Sequence, residues 1–280
     1  MNDRFPRLGS IGVAGVVLAA AGGGLSACAN EEPVPPHDPS CLPPDDPTMA
    51  VLCIRSIRPT APNSLEMFTD GALFGFDPAV EGRSVERPII LTLTGIGSGD
   101  GVVHLRYGEG NSGPCTYSVP TAAAAEAGVT WEGTNFRLGA ESLAELDIVL
   151  WYDPDGGPPV HLLVHRARLS GQLPPDRLSI GAWSWDEDRW TSGGLIHGLI
   201  PVAEARVTPA DPFFRNGITV CGVLSGDDGV LGDSTDDCAS DPATWQYPPD
   251  AELDGEPAWT FRATFAAEAC LVQPSAATPR

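Results

Sequence analysis

A chain of 280 residues with 37 acidic side chains, 16 arginines and no lysine carries a formal net charge of −21. So acidic a surface argues against binding nucleic acid or anionic lipid headgroups by charge. Without lysine there is no Walker phosphate loop, no Schiff base or pyridoxal chemistry and no Ser-x-x-Lys acyl transfer, so the glycine-rich run Thr94–Gly101 is a turn.

Arg4 and Arg7 precede an apolar run from Ile11 to Leu25, which ends in small residues. That order is the pattern of a secretory leader. The run falls short of the roughly 20 apolar residues that a membrane-spanning helix needs. Leu25-Ser26-Ala27-Cys28 then resembles the lipobox of bacterial lipoproteins, a resemblance confined to the leader and Cys28. It implies a signal peptide over residues 1–27, cleavage before Cys28, and diacylglyceryl and palmitate chains on the new N-terminal cysteine. Several acyl chains anchor stably where one is marginal. The expected location is therefore the cell envelope, lipid-anchored and extracytoplasmic. In such proteins Asp after the cysteine signals inner-membrane retention; Ala29 favours the outer membrane in an organism that has one.

Removing residues 1–27 takes away Asp3, Arg4 and Arg7, leaving 36 acids against 14 arginines and a formal charge of −22. Residues 28–50 are rich in proline and acid, the composition of an extended, partly stiff tether. A single β-rich domain is expected over 51–272, followed by a flexible tail over 273–280, since no linker-like stretch interrupts the long middle segment.

Period-two alternation predicts strands at Val103–Tyr107, Leu146–Tyr152 and Trp259–Phe265, and further β-rich runs lie at Ile89–Thr94, Val160–Leu169, Leu178–Trp185 and Ile218–Leu224. The turn clusters GIGSGDG, GEGNSGP, DPDGGPP and GQLPPD separate them. Helices are minor: Thr121 is placed to cap AAAAEA, and Pro201 suits the first turn of PVAEAR. The expected class is mainly β, an antiparallel sandwich or barrel with a few short helices, stapled by disulfides.

Six cysteines follow Cys28, an even number that reads as disulfides in an exported chain. Fifteen pairings are possible. Short loops favour Cys41–Cys53 and Cys221–Cys238, each worth roughly 3 kcal/mol, which leaves Cys115–Cys270. No two have the C-x-x-C spacing of a zinc or redox site.

Three features invite a chemical role. His161 and His165 would share a helix face as zinc ligands, but VHLLVHRARL reads as a strand and sets them about 13 Å apart. Asp227, Asp228, Asp233, Asp236 and Asp237 crowd a glycine-containing loop that offers oxygen ligands to calcium. DDGVLGDSTDDC loosely resembles the calcium loops of thrombospondin type-3 repeats, without their D-x-D-x-D-G core, and a solvated turn locked by Cys221–Cys238 is the default reading. Trp183 and Trp185 fall on one strand face, and a loop from Asp186 to Arg189 would bring Trp190 opposite Trp185. Exposed, the trio would stack on sugar rings; buried, it would be core between sheets, which need large inward residues. Acids are too abundant for any carboxylate pair to signify, and there is no G-x-S-x-G elbow.

The stretch VHRARLSGQLPPDRLSIGAWSWDEDRW resembles uncharacterised exported lipoproteins of high-GC bacteria, over about half the domain, and that resemblance implies no activity. The expected protein is a lipid-anchored domain that binds or displays and does not catalyse. It needs no cofactor, and its partner is the membrane through the anchor, together with a protein or glycan. Two alternatives remain: a carbohydrate-binding module built on the tryptophans, and a calcium-stabilised adhesion or assembly module.

Overall fold

In the computed structural model the alternating segments are strands. The structure describes residues 41, 43–62, 65, 88–108, 110–113, 115–138, 143–151, 160–184, 189–191, 193–208, 219–225, 238 and 241–275. In chain order these form β1 (Met49–Ala61), β2 (Ile89–Thr94), β3 (Asp100–Tyr107), β4 (Gly110–Gly113), β5 (Thr116–Val119), β6 (Ala125–Glu132), β7 (Asn135–Leu138) and β8 (Leu143–Trp151). There follow β9 (Val160–Gln172), β10 (Ser179–Ile180), β11 (Ala182–Ser184), β12 (Arg189–Thr191), β13 (Gly194–Pro201) and the short helices α1 (Val202–Ala205) and α2 (Val220–Ser225). The last strands are β14 (Ala251–Leu253), β15 (Glu256–Ala269) and β16 (Leu271–Pro274).

Antiparallel ladders run β1–β2–β3–β6–β7–β9–β13–β15, and β15 pairs back onto β1. These eight strands close a barrel, and the β1–β15 ladder decides between the two expected architectures. β8 uses the same edge of β9 as β7, beyond it along the strand. β10 and β14 extend the ladders of β15.

A barrel of this strand number has an interior that side chains can fill. Inward positions supply Leu52, Leu91, Leu105, Val129, Leu169, Ile196 and Phe261, all buried in one continuous core. Two inward positions are glycine because large neighbours occupy their space. A Cβ at Gly194 would stand 2.3 Å from the Phe265 ring, and one at Gly198 would stand 2.4 Å from Val164 Cγ1.

A second, smaller core covers the outer face of β1 and β2. There the sheet β16–β5–β4 packs Tyr117 and Val119 onto Val51 and Ile90. Two disulfides cross this layer, Cys41–Cys115 and Cys53–Cys270, while Cys221–Cys238 ties α2 to the chain that follows it. The expected Cys41–Cys53 and Cys115–Cys270 bonds are therefore wrong, and Cys221–Cys238 is right. Short loops are favoured in the unfolded chain. In the fold, β1 carries Cys53 to a Cα–Cα distance of 5.9 Å from Cys270, and β5 starts beside Cys41.

Beneath this layer the Arg55 guanidinium pairs with Glu268 across the β1–β15 ladder and donates to the Tyr117 hydroxyl at 2.8 Å. Both charged side chains are nearly buried, at 9% and 5% exposure.

Other expectations shift locally. AAAAEA is not a helix: β6 begins at Ala125, and pairing with β3 overrides the alanines' helix propensity. Ile218–Leu224 is not a strand: from Val220 it is α2, buried at every position, and a short apolar run carries no period to separate the two. GEGNSGP contains β4. At the boundaries, Cys41 is buried and Arg177 donates to the carbonyls of Pro44, Asp46 and Met49, so the fold includes residues assigned to the tether. β16 likewise enters the assigned tail.

Candidate functional site

A filled barrel leaves its outer face for recognition. Outward positions of β6, β7, β9 and β13 stand in register across the sheet: Thr130 opposite Arg137, Arg137 opposite Ser170, and Ser170 opposite Leu195. The next outward row is Glu132, Asn135 and Gln172. Together these rows line a groove of about 420 Å3 whose floor includes Gly171 and Gly193. Leu195 is 57% exposed, an aliphatic surface among hydrogen-bonding side chains.

One step along the strands lies a second row. Arg168 on β9 is opposite His197 on β13, which is opposite Arg262 on β15. Neighbouring strands lie about 4.8 Å apart, so these three basic side chains span about 10 Å of outer surface. Arg262 Nε donates to His197 Nε2 at 3.2 Å, which leaves the neutral ring's proton on Nδ1. Burial, then the positive charges of Arg262 and Arg168, hold the His197 pKa below its ordinary value, and Asp250 opposes them. Among the described residues, no ion pair takes in Arg137, Arg168 or Arg262. In a chain of net charge −21 that is a local reversal of sign.

Further along the same face the charges are paired. His165 Nε2 lies 2.5 Å from Glu204 on α1, with Glu145 on β8 at 3.9 Å from Nδ1. His161 Nδ1 contacts Asp147 at 2.8 Å. The two histidines are on one strand, as expected, and the carboxylates that contact them are different ones. No group of three or more potential metal ligands forms among the described residues.

Trp183 and Trp190 are direct partners in the β11–β12 ladder, which corrects the expected pairing of Trp190 with Trp185. The ladder ends one residue earlier than an Asp186–Arg189 loop requires, because Arg189 itself pairs with Ser184. Its strands leave the barrel through Gly181 and Gly193, and Gly193 also lines the groove. Trp185, the loop aspartates Asp227, Asp228, Asp233, Asp236 and Asp237, and Cys28 lie outside the described residues.

The basic row was missed at the sequence level. Arg168, His197 and Arg262 alternate with apolar residues in HRARLSG, GLIHGLI and TFRATF, which marks them as outward. Nothing in those segments says that the three strands are neighbours.

Comparison with protein-family models, with curated proteins and with solved structures finds no match to this chain.

Proposed function

We propose that this chain is an extracytoplasmic binding module, held at a membrane by lipid on Cys28 and presenting the outer face of its barrel to a ligand. The observation that carries the binding half is the groove over Ser170 and Leu195, built of hydrogen-bonding side chains around an exposed aliphatic one. Ligand sites of this kind combine apolar surface with a few placed polar groups. The leader and lipobox support the anchoring half, and three disulfides suit an oxidising compartment.

Both halves are tested in the full-length protein expressed in a lipoprotein-processing bacterium. Metabolic labelling should put palmitate on the wild type and not on Cys28→Ser, which should move from the membrane to the soluble fraction. Purified wild type should be retarded on affinity electrophoresis through envelope polysaccharide, and Ser170→Trp, which fills the groove, should not. An unlabelled wild type sinks the anchor, and equal mobility of the two proteins sinks the groove as a binding surface.

A further inference from the structure

We infer that the Arg168–His197–Arg262 row is an anion site and that, with the adjoining groove, it takes a short acidic oligosaccharide, a uronic acid bearing its carboxylate on the row and its ring over Ser170 and Leu195. This rests on the binding role proposed above and names its ligand class.

Three observations meet here. The row places basic side chains on three consecutive strands, each directly opposite the next. Arg168, His197 and Arg262 are all exposed, and neither arginine is paired with a carboxylate among the described residues. Guanidinium forks match a carboxylate in plane and spacing. A neutral His197 with its proton on Nδ1 adds a donor.

The groove starts one outward position away. Ser170 and Leu195 follow Arg168 and precede His197 by two residues on their strands, a step of about 6.8 Å. That step matches a carboxylate and the pyranose ring that carries it. Ser170 and Gln172 then face hydroxyls with donors and acceptors, and Leu195 meets the apolar face of the ring.

Charge limits the ligand's length. With a net charge of −21 the surface as a whole repels a long polyanion, and the Asp250 charge that acts on His197 shows how near the acidic surround comes to the row. A short acidic oligosaccharide engages the island without crossing the acidic surround.

The test is calorimetric titration of the disulfide-intact protein with trigalacturonate, with the same trimer after its carboxyl groups are reduced to alcohols, and with inorganic phosphate. Trigalacturonate should bind, more weakly as salt rises. Arg168→Gln and Arg262→Gln should each weaken it roughly tenfold or more, as for a lost charge-assisted hydrogen bond. Both residues are exposed, and unchanged melting of each variant shows the fold intact. Equal binding of the reduced trimer overturns the anion site and leaves the groove as a binding surface. Phosphate binding as tight as the uronate overturns the sugar assignment. Failure of all three probes, with retention on envelope polysaccharide preserved, overturns this ligand class alone; failure of both experiments removes the binding role itself.

Discussion

His197 stands between two guanidinium groups on the outside of a barrel, and that position has a consequence for pH. Its folded-state pKa is lowered from 6.5, mainly by burial and then by Arg262 and Arg168, so folding disfavours the charged ring. A base with a lowered pKa contributes its full stability above its unfolded value and loses it as pH falls through the folded one. The melting temperature of the wild type should therefore drop more than that of His197→Gln between neutral pH and about pH 5. Parallel curves for the two proteins would show that His197 plays no part. Arg55 and Glu268 make the contrasting case of opposite charges buried together. Glu268→Ala leaves a guanidinium at 9% exposure without its carboxylate and should cost about 3–5 kcal/mol in urea denaturation. The double variant Arg55→Met/Glu268→Leu removes both charges and should cost clearly less. An equal or greater loss would make the pair a net stabiliser.

At the scale of elements, strands with one buried face were legible, because alternation writes the face into the sequence. β3, β8, β9 and β15 carry it plainly. β1 was missed since its first residues are buried on both sides, under the barrel core on one face and the small sheet on the other. A strand covered twice shows a continuous apolar run instead of a period. β13 was missed for a different reason: its inward positions alternate Ile with Gly194 and Gly198, so half the apolar signal is absent. Those glycines are required by packing. Gly194→Ala forces a methyl against the Phe265 ring and should cost about 1–3 kcal/mol, seen as a lower melting temperature with the same circular dichroism spectrum. An unchanged melting temperature would mean that the β13–β15 ladder gives way freely.

For the whole molecule, closure is the organising event. β1 and β15 are far apart in sequence, and their ladder is sealed by Cys53–Cys270 with a separation of 217 residues. Cys221–Cys238 spans only 17. Chain-entropy reasoning gives about 5 kcal/mol for the long loop and about 3 for the short one. Cys53→Ser/Cys270→Ser should therefore lower the denaturant midpoint more than Cys221→Ser/Cys238→Ser, with activity of neither needed as a readout. The reverse order would mean that native-state strain outweighs loop entropy. Arg168, His197 and Arg262 become neighbours through the β9–β13 and β13–β15 ladders of the same barrel, so the proposed site belongs to three strands together and to none of them alone.

By itself the sequence determined the class of fold, the outward or inward face of most strands, the chemistry that an arginine-only, acidic chain forgoes, and the expectation of a lipid tether. These follow from composition and from periods of a few residues. Tertiary structure alone decided that the sheet closes, which cysteines meet, and which basic side chains share a row. Each depends on strand neighbours tens to hundreds of residues apart, and register across a ladder is set by the packing of whole faces, which no local pattern encodes.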